Sequence, residues 1–383
     1  MQMPVLTCGG MRYQQGWEDL EPGKIDPKGQ ANLEATIFRA LELGINHIET
    51  ARGYGPSEMQ LGMVVPGIER DSFMLQTKIG VKETAEEFLA AFETSMKYLK
   101  VEYVDFLSIH GINLPEHIET CTRKGGCLDA VRQLQKDGRV RFCGFSSHAG
   151  PETVIPACET GAFDYVNLHW YYIYDQLHWS MVEAANRQDM GVFIISPNDK
   201  GGMLYNPTKK MSALCDPLTP MQWNDLFCLA RPEVHTLSIG AARPSDFDAH
   251  VEAVSSHWNS PVVGKIEERI LQSLKNDLGA HWIQHWHEDL PLYADTPGGI
   301  NVREILRLWT FDKGLDLREL AQLRYNLLGN AEHWFPGQQA VNVDSYDWSC
   351  LEKSRFADRI PAILKESHKL FHVDKDAKRL SES

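Results

Sequence analysis

Four polar residues stand at or just beyond the ends of apolar segments. They are Glu49 in NHIET, Tyr54 in the ARGYG that follows, Lys78 in FMLQTKI and His110 in VDFLSIH. Together these types make an acid. A phenol, with an ordinary pKa of about 10, donates a proton poorly at neutral pH. A nearby ammonium, Lys78, favours the phenolate and is expected to lower that value. A carboxylate, Glu49, keeps the lysine charged and oriented, and an imidazole, His110, can hydrogen-bond a substrate oxygen. Such a set is able to protonate a carbonyl oxygen as its carbon is reduced. Singly, each residue reads equally well as a cap or a satisfied hydrogen bond, and Glu49 as a plain ion-pair partner of Lys78.

The elements that must position them favour the joint reading. Eight short apolar runs are predicted as strands: 5–9, 46–50, 73–79, 104–110, 141–146, 165–170, 191–196 and 235–240. They are apolar nearly throughout, as parallel strands buried on both faces should be. Between them lie amphipathic helical patterns. One is 29–43, with Leu33, Ile37, Ala40 and Leu41 on one face and Gly44 to close it. Another is 84–100, opened by a Thr84/Glu87 capping box. A third is 128–137, ended by Gly138. Eight β-then-α units in about 255 residues predict a (β/α)8 TIM barrel, in which catalytic groups come from the C-terminal ends of strands. The runner-up, a doubly wound sheet, usually carries a glycine-rich turn after its first strand, and no GxGxxG is present. The expected division is a barrel over 1–257 and a mainly helical extension over 258–383 with a polar tail.

Composition narrows the partners. The net charge is −14, which argues against a nucleic-acid or anionic-membrane binder. No apolar run has the length of a membrane helix, and the first residues lack a basic stretch followed by an apolar one, so a leader is not expected. The eight cysteines are scattered without CxxC spacing, which points to a reducing cytoplasm and to small core residues. His281 and His285 have metal-compatible spacing with His287 and Glu288 beyond, but in a tryptophan-rich stretch an aromatic packing face is the better reading. Cys121 and Cys127 flank a glycine-rich turn and suggest no site.

GINHIETARGYGPSEMQLG, then a strand ending in Lys78 and one ending in His110, resembles the aldo-keto reductases over roughly residues 4–257. The resemblance implies a barrel that binds NADPH without a Rossmann fold and a small aldehyde or ketone as substrate. It implies Tyr54 as general acid, Glu49 and Lys78 as its tuning pair, and His110 as the substrate-orienting group. The family has Asp where this chain has Glu49, which moves the carboxylate out by ~1.5 Å.

The same resemblance places the cofactor. Ser146 and Ser147, in GFSSH, stand where a Ser-Asn pair holds the nicotinamide carboxamide, and Asn167 stands where Gln completes the set. Ser196 and Pro197 lie in the segment after the seventh strand that covers the cofactor, with Ile195 in place of the usual stacking Tyr. Gly240, Arg243 and Asp246 lie in the eighth strand's loop: a glycine for close approach, an arginine for the 2′-phosphate, an aspartate near the adenine. The extension resembles a branch of the family with an iron–sulfur segment. It keeps only Cys350, so no cluster is expected and no metal site is assigned. A second reading, a nicotinamide-binding sensor or assembly subunit with little turnover, rests on Glu49, the missing stacking Tyr and the large extension. The intact Tyr–Lys–His set favours the enzyme.

Overall fold

The computed structural model describes residues 2–21 and 23–373. Eight parallel strands close into a barrel in chain order. They are β1 (Leu6–Gly9), β2 (His47–Glu49), β3 (Met74–Gly80), β4 (Val104–His110), β5 (Val140–Ser146), β6 (Tyr165–Leu168), β7 (Gly191–Ile195) and β8 (Thr236–Gly240). β1 pairs with β8 to close the ring, with Thr7 opposite Ser238 and Gly9 opposite Gly240.

The helices follow their sequence signals. Helix Ala85–Leu99 opens with the Thr84/Glu87 capping box and buries Phe88, Phe92, Met96 and Leu99. Helix Pro27–Glu42 starts two residues earlier than expected, because Asp26 caps it and Pro27 occupies its first position. β6 ends at Leu168, two residues early, as His169 leaves the sheet to bond the Ile195 carbonyl at 3.1 Å.

Alternate strand residues meet inside the barrel in tiers. At the N-terminal ends Met74, Phe106, Tyr165 and Phe193 form an apolar floor. Above it lie two polar groups of residues. Thr7 bonds His47 at 2.8 Å and Thr236 at 2.9 Å. Gln76 and Ser108 both donate to Asn167 Oδ1, at 2.7 and 3.0 Å, and Ser108 also bonds the Tyr165 hydroxyl at 2.9 Å. Glu49, Lys78 and Ser238 meet at the C-terminal ends. The interior is therefore more polar than an apolar reading of the strands implied, because every second residue answers to the barrel axis rather than to the helices.

By contact the chain forms two compact units that do not follow chain order. One comprises Met1–Tyr171, His178–Pro197 and Cys228–Trp258. The other comprises Tyr172–Leu177, Asn198–Phe227 and Asn259–Ser383. The second has an aromatic core. Trp223 donates to the Val263 carbonyl at 3.2 Å, Trp282 to Thr310 at 3.1 Å and Trp286 to Gln176 at 2.7 Å. The face carrying His281 and His285 packs on Phe356, and His285 bonds Glu288 at 2.9 Å. Among the described residues no group of three or more His, Cys, Asp or Glu is placed to hold a metal ion.

Candidate active site

The turn after β2 is pinned before it presents its tyrosine. Thr50 and Arg52 donate backbone N–H groups to the carbonyls of Gln76 and Lys78, at 2.8 and 2.9 Å. The Arg52 guanidinium pairs with buried Glu58 at 2.5 Å and with Asp19. Glu58 also accepts from Thr77 at 2.6 Å. Gly55 has φ +50°, and a Cβ there would run into the Gly16 carbonyl, so the turn needs a glycine at that point.

Tyr54, half-buried, lies against Lys78. The ammonium donates to the Tyr54 hydroxyl at 3.2 Å, to the Thr50 carbonyl at 3.0 Å and to the Glu49 carboxylate. Lys78 is fully buried and Glu49 is 3% exposed, so the pair is shielded from water. Ser238, on β8, donates to the second oxygen of Glu49. The His110 ring meets the Tyr54 ring edge-on at 5.7 Å. The structure thus brings all four sequence-selected residues together.

The charge balance corrects one expectation. Lys78 was expected to lower the Tyr54 pKa. Burial pushes the phenol up, Lys78 pulls it down, Glu49 adds to the rise, and the phenol ends above its ordinary value. Burial likewise opposes the Lys78 ammonium, but Glu49 and Tyr54, through charge and hydrogen bonds, together outweigh it and hold the lysine above its usual range. Tyr54 is a neutral phenol beside a cation at neutral pH. His47, one tier below, is pushed down to about 3, first by burial and then by Lys78, so it is a neutral structural group.

The residues selected for a cofactor differ in what they leave open. The Ser146 hydroxyl accepts from the Gly111 N–H at 3.1 Å, which leaves its own hydrogen to donate. Asn167 is 1% exposed, and its Nδ2 has no hydrogen-bond partner among the described residues. An orphaned buried donor can take an acceptor from outside, such as a carboxamide oxygen. The Ser147 hydroxyl is committed: it donates to the Ile112 carbonyl at 2.7 Å and accepts from the Ala149 N–H at 3.0 Å. Ser196 takes a left-handed φ of +53°, a strained conformation for serine, and Pro197 beside it is buried. Gly240 ends β8 opposite Gly9. Arg243 is exposed, and its Nε meets Asp246 at 2.9 Å. The other oxygen of Asp246 accepts from the Ala242 N–H at 2.9 Å, so this aspartate holds the loop together.

Sequence reasoning missed Ser238, which alternates with Thr236 and Gly240 along β8 and therefore faces the barrel interior. It also missed His148 and His169, whose rings meet edge-on at 4.6 Å beyond β5 and β6. Trp170, two residues beyond the end of β6, is fully buried against Trp179 at 5.0 Å.

A model of the aldo/keto reductase family matches residues 5–236, more than half of the 383. An aldo-keto reductase of Mycobacterium sp. (strain KMS) is 29% identical over 185 residues, covering 46% of this chain and 63% of that protein. The chain thus spans just under two thirds of that relative's length. An L-galactose dehydrogenase of Arabidopsis thaliana is 23% identical over 284 residues, covering 65% of this chain and 87% of that protein. The holo form of an aldo-keto reductase from Bacillus halodurans superposes with a TM-score of 0.54 at 19% identity, covering 69% of this chain and 91% of that one. At that identity the superposition speaks for the fold alone. No described helix is long and apolar enough to cross a membrane.

Proposed function

The chain belongs to the aldo/keto reductase family of oxidoreductases, and from that premise we propose that it interconverts a small aldehyde or ketone and its alcohol with NADPH, Tyr54 being the general acid. One observation carries the reading: a fully buried ammonium, Lys78, bonded at once to the Tyr54 hydroxyl and to the Glu49 carboxylate.

When bound, the reduced nicotinamide supplies the hydride that reaches the carbonyl carbon. Tyr54 donates its hydroxyl proton to the carbonyl oxygen and is left as phenolate. Lys78, 3.2 Å away, stabilises that phenolate, and Glu49 keeps the lysine cationic. A proton from water restores the phenol, and the reverse sequence oxidises the alcohol. His110, beside Tyr54, orients the substrate oxygen. Ser146 and Asn167 donate to the carboxamide, with Ser147 holding the loop beneath them. Ser196 and Pro197 cover the cofactor, Gly240 allows close backbone approach, and Arg243 meets the 2′-phosphate through the terminal nitrogens that Asp246 does not engage. The eight free thiols, seven of them buried, suit a reducing cytoplasm.

Replacing Tyr54 by Phe removes only the acid. Aldehyde turnover should fall by about 10²–10⁴-fold, while the NADPH Kd, read from tryptophan fluorescence, stays within twofold. Full turnover in Tyr54→Phe would overturn the assignment.

A further inference from the structure

We propose that Ser238 is a positioning residue for the acid: it fixes the free end of Glu49, and through it Lys78, and so compensates for a glutamate standing where the family has an aspartate. This rests on the reading of Tyr54 as the acid.

The geometry of three strands carries it. Glu49 on β2 has one carboxylate oxygen on Lys78 of β3 and the other on Ser238 of β8. The three residues lie 189 positions apart at the extreme and meet only because the barrel closes β8 onto β1. β1 lies between β2 and β8, and at that level it presents Gly9, opposite Glu49 on one side and Gly240 on the other. A Cβ at position 9 would fall 2.7 Å from the Ser238 oxygen, so the glycine keeps the gap through which the two side chains touch.

The longer side chain needs this contact. Glutamate has one more rotatable bond than aspartate, so its carboxylate has more ways to sit. Without Ser238, the second oxygen of a 3% exposed carboxylate would lose its partner and turn toward Lys78. The ammonium would then be drawn from the Tyr54 hydroxyl, which it holds at 3.2 Å. An aspartate, shorter by ~1.5 Å, would satisfy Lys78 but fall short of β8. Ser238 is 8% exposed and acts on the substrate only through Glu49 and Lys78.

A double-mutant cycle tests this on the full-length chain, with NADPH and an aldehyde the wild type reduces. Ser238→Ala should lower kcat about tenfold and leave the aldehyde KM and the NADPH Kd within twofold. Ser238→Thr, which keeps the hydroxyl, should recover most of the rate. In a Glu49→Asp background the same Ser238→Ala change should cost less than twofold, and the melting temperatures of the four proteins should fail to add by about 2–4 °C. A Ser238→Ala enzyme with full kcat, or equal losses in both backgrounds, would overturn the inference while leaving Tyr54 as the acid. Wild-type rates in Tyr54→Phe would instead retire the reading of the site itself.

Discussion

Two buried ion pairs, one in each unit, show how differently a fold can use a charge. In the barrel, Lys78 and Glu49 come from neighbouring strands, and each keeps a second partner on another element: Tyr54 for the lysine, Ser238 for the glutamate. In the other unit Arg307 pairs with Glu304 within one helical turn, and its guanidinium lies 3.8 Å over the Tyr174 ring. The second pair lies within one helix and against an aromatic ring. The first ends at the hydroxyl of half-buried Tyr54. Buried charge is costly in either place, and removing one partner leaves the other stranded. The barrel pair brings its ammonium to the Tyr54 hydroxyl, the group proposed as the acid; the helical pair lies against Tyr174.

Paired substitutions sharpen the contrast. Lys78→Met and Arg307→Met should each destabilise the chain by about 3–5 kcal/mol, read from thermal or urea unfolding. Only Lys78→Met should also abolish turnover per folded molecule. Comparable loss of kcat in Arg307→Met would break the distinction. A smaller effect is expected at the rim. Arg243→Ala should weaken NADPH by about 1.5–3 kcal/mol and leave NADH affinity nearly unchanged, measured by fluorescence titration of both. Equal weakening of both nucleotides would remove Arg243 from the phosphate.

The smallest effect should appear in the pH profile. Burial and Glu49 hold the Tyr54 phenol above its ordinary value of about 10. The neutral form is the one that donates, so the reduction rate should stay level across neutral pH. It should fall only as pH rises above about 10. The stability tied to the neutral phenol follows the same sign: it is present below the ordinary value and lost as pH climbs through the folded one. A reductive rate already declining between about pH 7 and 8 would mean that Lys78, not burial, sets the phenol, as the sequence alone suggested.

Much of this was written locally. Strand and helix order follow from apolar runs, capping residues and the helix-ending glycines Gly44 and Gly138, all short-range signals. Glu49, Tyr54, Lys78 and His110 stood out because a polar side chain at the end of an apolar strand is placed at the barrel mouth by topology. Other features were not legible, for reasons that are also physical. Nothing in TLSIG separates Ser238 from Thr236, since their difference lies in what strands far away in sequence bring opposite them. Ser146 and Ser147 are chemically alike, yet only backbone geometry decides that one hydroxyl keeps a hydrogen to donate while the other is consumed by Ile112 and Ala149. The grouping of 172–177 and 198–227 with the C-terminal residues is a matter of contact, not of chain order. The sign of the Tyr54 shift belongs here too. The sequence by itself determined which groups could do the chemistry; only the closed barrel decided how deeply they are buried and which charges face them, and a pKa answers to depth and distance, which a sequence does not contain.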